Sequence, residues 1–308
     1  MAPPAGPWHD PGVAEGGPGH ADSPIVGAVV DWFEQARRPL PWRSTTPWGV
    51  LVSEFMLQQT PVDRVLPVWS AWLERWPTAT DLAAAGQADV LRAWGRLGYP
   101  RRARRLHECA AIIRDRHGGD VPEDPEDLRA LPGVGEYTAA AVRAFAFGRH
   151  AIVLDTNVRR VLVRALAGSA QPSAHLTRAE RDAAQQAWPT DDATSATWSA
   201  AVMELGALVC RSRGPACGTC PVSSHCAWLA AGRPGAAVPA RRQARYEGSD
   251  RQARGRVLAV LRDAPGPVAA AAVRAAWPVD AQRERALAGL VDDGLITRLP
   301  RGRYALRG

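Results

Sequence analysis

From residue 24 to residue 209 the apolar residues of this chain recur at intervals of three and four, segment after segment, with short links between. Strand-period alternation is nearly missing there, so the body is confined to helices packed in a compact bundle. Ile25, Val26, Val29, Val30 and Phe33 mark a first helix, ending before the stretch with Pro39 and Pro41. A second helix is expected over 48–59. Thr60 then reads as an N-cap with Pro61 at the first helical position, opening a helix to about residue 76 with a kink or break at Pro67. Further helices are expected near 88–95, 101–117, 125–130, 136–147, 157–167, 177–187 and 195–208. The fold class is mainly α.

The chain changes character toward its end. Residues 232–250 read as a Gly/Pro/Arg linker, followed by helical patterns at 253–263, 268–276 and 281–293 and a short hairpin through Pro300, Arg301 and Gly302. Three helices and a hairpin make a small winged-helix-like domain over 251–308, a fold that serves DNA binding in some proteins and protein contacts in others. At the other end, residues 1–23 read as a disordered Pro/Gly/Ala-rich tail without the positive start and apolar core of a secretory signal. No apolar run approaches the roughly 18 residues needed to cross a bilayer, so the expectation is a cytoplasmic protein with no membrane partner.

The 308 residues suffice for about two domains with a sizeable core. A net charge of +7 points to a polyanionic partner. All 38 basic residues counted as Lys plus Arg are arginine. No side chain can form a lysine Schiff base, and no P-loop lysine can hold a nucleotide phosphate, which excludes lysine-dependent lyases and Walker-type ATPases.

Four of the five cysteines, Cys210, Cys217, Cys220 and Cys226, fall in one short stretch with the spacing C-x6-C-x2-C-x5-C. Thiolates so close together cannot staple distant parts of a large domain, and metal ligation is the natural role. Zinc and iron–sulfur clusters are both satisfied by four thiolates; the single C-x2-C knuckle leans toward iron–sulfur and leaves zinc open. Cys109 lies on a helical pattern with Leu106, Ile112 and Ile113 and reads as a small core residue.

A second local signal is the run Leu131-Pro132-Gly133-Val134-Gly135 between two short helical patterns. Proline stops the first helix, and the glycines let a tight turn approach a ligand. The following helix starts with free N–H groups and a positive dipole end, which suit a DNA phosphate. An ordinary helix connector can read the same way. The basic run Arg96, Arg101, Arg102, Arg104 and Arg105 upstream adds weight to the DNA reading.

Taken with Ser53 to Thr60, residues 95–99 and Leu154-Asp155-Thr156-Asn157-Val158, these motifs resemble, in order over about residues 25–230, the helix–hairpin–helix DNA glycosylases that carry an iron–sulfur cluster. Within them the chain is similar to the MutY-type adenine DNA glycosylases, in the short form of actinobacterial members. The resemblance implies two helical domains, one of residues 24–41 and 150–231 with a [4Fe-4S] cluster on the four cysteines, the other a six-helix module of 42–149 with the hairpin. It implies a monomer that binds double-stranded DNA across a crevice and releases adenine opposite 8-oxoguanine or guanine.

The implied roles fall residue by residue. The catalytic glutamate maps onto Glu54, which sits in an unusually apolar helical run with Gln58 four residues on; a carboxyl group among apolar neighbours has a raised pKa and can protonate a leaving purine. Asp155, which alone reads as an N-cap held ionised by backbone donors, maps onto the aspartate that stabilises the sugar cation, and Asn157 onto its orienting partner. Tyr137 stands where related lyases place a catalytic lysine, so strand cleavage is not expected. Leu57, Gln58 and Gln59 correspond to the segment that fills the gap of the extruded base, and Tyr99 to an aromatic inserted beside the opposite base. The family's second tyrosine there is Pro100 here. Arg38 and Trp42 map to the adenine pocket, and Gly133, Val134 and Gly135 to the backbone grip. Residues 240–308 are too few and too helical for the Nudix-like domain of many members, so a smaller preference for 8-oxoguanine over guanine is expected. A thymine or uracil mismatch glycosylase and a non-catalytic, metal-stabilised DNA-binding protein are the competing readings.

Overall fold

The computed structural model describes residues 24–236 and 245–308; the expected tail at 1–23 and part of the expected linker at 232–250 lie outside these. The helical periodicity becomes helices close to where the sequence places them. α1 (Pro24–Ala36) turns Val26, Val29 and Phe33 inward, and a 3₁₀ turn at Pro41–Arg43 leads to α2 (Pro47–Leu57). α3 (Val62–Arg75) runs through Pro67 as one helix rather than breaking. α4 (Ala79–Ala83), not anticipated, is started by a capping box of Thr78 and Asp81, whose side chains answer each other's backbone N–H. α5 (Gln87–Trp94), α6 (Arg101–Arg116), α7 (Pro125–Ala130), α8 (Glu136–Phe147) and α9 (Thr156–Ala165) follow, then α10 (Arg178–Ala187), α11 (Asp192–Leu208) and the short α12 (Ala227–Ala230).

Two local readings change. α2 ends at Leu57, because Gln59 adopts a left-handed φ of 56° that no α-helix continues. Thr60 is not a cap: Pro61 holds the N-cap position of α3, while the Thr60 hydroxyl donates to the Leu97 carbonyl at 3.2 Å and accepts from Arg102 at 2.9 Å. A tertiary partner thus takes the hydroxyl that local pattern assigned to the helix.

The chain divides into two compact units. The first holds Met1–Leu51, Glu123–Arg129 and Val134–Ala240. Within it α11 packs against α1, α8 and α9, and the core includes Phe33, Val153, Val158, Val202 and Leu205, with Trp188 and Trp198 edge to face at 6.3 Å. The second holds Val52–Pro122, Ala130–Gly133 and Arg241–Gly308. α6 is its spine, packed on α4 and α5, with Trp72 edge-on to both Trp76 (4.7 Å) and Trp94 (5.7 Å). Cys109 is fully buried in this core, where burial pushes its thiol up to about 12, as suits a small apolar residue.

The C-terminal segment belongs to the second unit. It comprises α13 (Asp250–Asp263), β1 (Val268–Ala269), α14 (Ala270–Ala276), α15 (Asp280–Asp292), β2 (Ile296–Leu299) and β3 (Arg303–Leu306). The expected hairpin is present, with Ile296 opposite Leu306 and Leu299 opposite Arg303. β1, read from sequence as the start of a helix, instead pairs antiparallel with β3 and completes a sheet of order β1-β3-β2. Pro265 and Pro267 keep the chain extended there. The result is winged-helix-like, and α13 and β3 both lie on α5.

Candidate active site

α2 carries the first group of site residues. Its residues 50–56 are all buried, and Glu54, 5% exposed, is the one carboxylate among them. The C-terminal carbonyls of α2 are closed by Arg102, whose Nη1 donates to Phe55 O (2.7 Å) and Met56 O (2.9 Å). Arg102 is 8% exposed and burial lowers its guanidinium to about 10. It therefore anchors the turn after α2 and is not part of a solvated basic patch, which corrects its reading as one of a row of phosphate-facing arginines. Beyond that turn Leu57 and Gln58 are half-buried and Gln59 is exposed.

Tyr99 is 48% exposed and, like Gln59, sits in the left-handed region, with φ 47°. Gln58, Gln59 and Tyr99 share one cleft of about 510 Å³ with Arg101, Arg105 and Gly133. Gly133, with φ 86°, is where the turn after α7 meets this cleft; a Cβ there would lie 2.7 Å from the Phe55 ring and 3.1 Å from Arg105 Cβ. Only glycine meets both demands. In the same turn Val134 is buried and Gly135, with φ −96°, is the N-cap of α8, where no side chain caps the helix.

A second group lies in the other unit. Asp155 is the N-cap of α9: its Oδ1 accepts from Val158 N–H at 2.6 Å and its Oδ2 from Asn157 Nδ2 at 2.9 Å. Burial nonetheless outweighs these donors and the Arg160 charge, and pushes the carboxyl above its usual range. Asn157 Oδ1 in turn accepts from Arg160 Nη2 at 2.7 Å, and Arg160 also donates to Gly206 O and to Cys210 O, each at 2.7 Å. Gly206 allows this approach of α9 to α11, since a Cβ would lie 2.7 Å from Asn157 Cβ. Sequence reading missed Arg160; its signal was an arginine three residues after Asn157 on the face turned toward α11.

Arg38 is placed by a residue the sequence also left unmarked. Glu204, buried inside α11, accepts from Arg38 N at 2.8 Å, Nε at 2.9 Å and Nη2 at 2.6 Å, and pairs with Arg43 at 3.2 Å. Burial alone would raise its carboxyl, but the Arg38 hydrogen bonds and the Arg43 charge outweigh it and hold it low. Trp42, between these arginines, is 8% exposed. Tyr137, in the first turn of α8, packs half-buried against the first unit's core.

Cys210, Cys217, Cys220 and Cys226 all line one cavity whose other walls are largely apolar, among them Val161, Leu205, Val222 and Trp228. Burial and the three neighbouring thiols push Cys220 up against a backbone hydrogen bond from Val222. Arg164 reaches Cys210 Sγ at 3.4 Å and stacks over Trp228 at 4.5 Å. Among the described residues no three His, Cys, Asp or Glu side chains close around the position of one metal ion. Nor is any helix among them long and apolar enough to cross a membrane.

Residues 52–186 match the family described as HhH-GPD superfamily base excision DNA repair protein. A solved thermostable thymine-DNA glycosylase shares 25% identity and a TM-score of 0.60 over 67% of this chain and 95% of its own. Endonuclease III in a non-covalent DNA complex shares the fold, with 24% identity and a TM-score of 0.57 over 68% of this chain and 95% of its own. The adenine DNA glycosylase of Mycolicibacterium smegmatis is 54% identical over 283 residues, covering 91% of this chain and 95% of that protein. With the helical fold, the glycine hairpin and the four-cysteine loop all in place, the chain belongs to the adenine DNA glycosylase family, within the HhH-GPD superfamily of base excision DNA repair proteins.

Proposed function

We propose that this protein excises adenine from duplex DNA in which it stands opposite 8-oxoguanine or guanine, and leaves the abasic strand uncut. The observation that carries the reading is Glu54: a carboxyl 5% exposed in a buried stretch of α2 whose one other polar side chain is Ser53, next to Phe55, on which the hairpin glycine Gly133 packs. Extruding a base costs a few kcal/mol of stacking, and the exposed turn of Gln58, Gln59 and Tyr99 is suited to fill the space it leaves. Glu54 gives its proton to a ring nitrogen of the extruded adenine, so the base departs neutral as the C1′–N9 bond breaks. Asp155, oriented by Asn157, carries negative charge to the cationic sugar. Water then adds at C1′ and its proton returns to a carboxylate. No lysine is available to form a Schiff base, and Tyr137 holds the position where related lyases have one.

The donor set Cys210, Cys217, Cys220 and Cys226 fits a [4Fe-4S] cluster. Four thiols gathered around one largely apolar cavity are the donor set that such a cluster takes. Cys210, Cys217, Cys220 and Cys226 would hold the cluster in the cavity they line with residues of α9 and α11, where it would supply structural cross-linking of the loop.

The test is base release from duplexes carrying A opposite 8-oxoguanine, A opposite G, and T opposite G. Free adenine without strand nicking, and no borohydride-trapped adduct, is expected; released thymine would favour the mismatch reading that the thymine-DNA glycosylase likeness raises. Glu54→Gln is expected to keep DNA affinity while excision falls about 10²- to 10⁴-fold, the usual worth of a general acid. Undiminished excision by this variant would overturn Glu54 as the acid, and no base release from any of the three duplexes by the unaltered protein would leave a DNA-binding protein.

A further inference from the structure

The cleft that holds Gln58, Gln59 and Tyr99 is walled on one side by the C-terminal segment, through Arg254 of α13 and Asp293 just after α15. This segment is braced against α5 and the turn after it that bears Tyr99: Gln87, at the start of α5, donates to Gly294 O at 2.6 Å and Arg262 to Gly95 O at 2.5 Å. Asp293, 7% exposed, takes Arg254 on Oδ2 and Arg101 on Oδ1. Burial alone would raise its carboxyl, but the Arg101 hydrogen bond and both guanidinium charges outweigh it, so it stays ionised between them. A carboxylate has about four lone-pair sites, two of which these arginines occupy. Arg101 keeps 66% of its side chain exposed and Arg254 26%. Across this wall the groups therefore run donor, acceptor, donor.

Two other residues lining the same cleft hold strained backbone. Gln59 and Tyr99 are both non-glycine residues in the left-handed region, at φ 56° and 47°, a conformation that persists where surrounding structure imposes it. Both side chains are exposed. A guanine presents two acceptors, O6 and N7, on its outer edge. Oxidation at C8 converts N7 to an N–H and adds a carbonyl at C8, so the edge then reads acceptor, donor, acceptor, the complement of the wall.

We propose that Arg101, Asp293 and Arg254 form a wall that reads the base opposite the excised adenine and selects guanine oxidised at C8. This rests on the repair reading above and supplies, from a winged-helix-like segment, a specificity element for the same reaction. Asp293 acts as a positioning residue for the two guanidiniums and as the acceptor for the new N–H.

The test is single-turnover excision and duplex affinity with adenine opposite guanine, 8-oxoguanine or 8-bromoguanine, the last having bulk at C8 without an N7–H. The unaltered protein is expected to favour 8-oxoguanine over both others by about tenfold or more, the worth of one well-formed base-edge pair. Asp293→Asn and Arg254→Ala are each expected to bring the three within about threefold of one another. If 8-bromoguanine is favoured as strongly as 8-oxoguanine, or if the variants slow all three duplexes in equal proportion, the wall reads shape or grips phosphate and the proposal falls. Should Asp293→Asn lower the melting temperature strongly, Arg254→Ala and Arg101→Ala carry the same comparison. Adenine release by the unaltered protein is read in the same assay, so failure of the repair reading is distinguishable from failure of this one.

Discussion

Asp155 has an observed role as a helix cap and a proposed one as a charge beside the sugar, and the two pull in opposite directions. As an N-cap it satisfies Val158 N–H, which asparagine does equally well. As a buried carboxylate its pKa is raised, so ionising it opposes folding: the stability it contributes is present below the ordinary aspartate range and is lost as pH rises through its raised value. Asp155→Asn is therefore expected to melt no lower than the unaltered protein at pH 7, the difference shrinking as pH falls toward roughly 4. Excision is expected to fall about 10²- to 10³-fold. A drop in melting temperature at pH 7 would show that the charge stabilises the fold instead. The sequence marked Asp155 as a cap, which the structure bears out, but Arg160, which fixes Asn157, was invisible because its partners Gly206 and Cys210 lie far along the chain.

At the level of elements, the turn after α7 separates two glycines that look alike in sequence. Gly133 needs its left-handed φ of 86° and has Phe55 at 2.7 Å from a notional Cβ; Gly135 has an ordinary φ of −96° and nothing within 4 Å. Gly133→Ala is expected to cost about 1–3 kcal/mol in strain and crowding. Gly135→Ala is expected to cost about 1 kcal/mol or less, the difference between glycine and alanine at an N-cap, with no strain or crowding added. Equal losses in chemical denaturation would show that the turn, not the Phe55 contact, sets the requirement. The sequence pattern Leu131-Pro132-Gly133-Val134-Gly135 located the turn; which glycine is irreplaceable depends on a ring 78 positions earlier.

At the scale of the whole molecule, residues 210–226 have only short 3₁₀ turns at Cys217–Thr219 and Ser223–His225, and Val222 is their one deeply buried apolar side chain. A loop with so little core of its own depends on what its cysteines hold. Cys217→Ser is expected to weaken the broad visible absorption of the purified protein and lower its melting temperature by several degrees, as loss of a group bound only to the folded state does. Cys109→Ala, whose thiol is buried in the second unit at about 12, is expected to leave that absorption intact. If both changes bleach the protein alike, or neither does, the four-cysteine assignment is wrong.

What the sequence determined by itself was most of the local structure. Apolar spacing set the helices, Thr78 with Asp81 and Thr177 with Glu180 set helix starts, and cysteine spacing set the loop. Only the tertiary structure decided the rest. It turned Thr60 from a cap into a partner of Arg102, buried Arg102 beneath the end of α2, and placed Glu204 on Arg38. It also carried Asp293 from the far end of the chain to the cleft of Tyr99. The physical reason is the same in each case: a helix or a turn is chosen by neighbours a few residues away, whereas the partner of a buried charge is whichever group the packed chain brings within hydrogen-bonding distance.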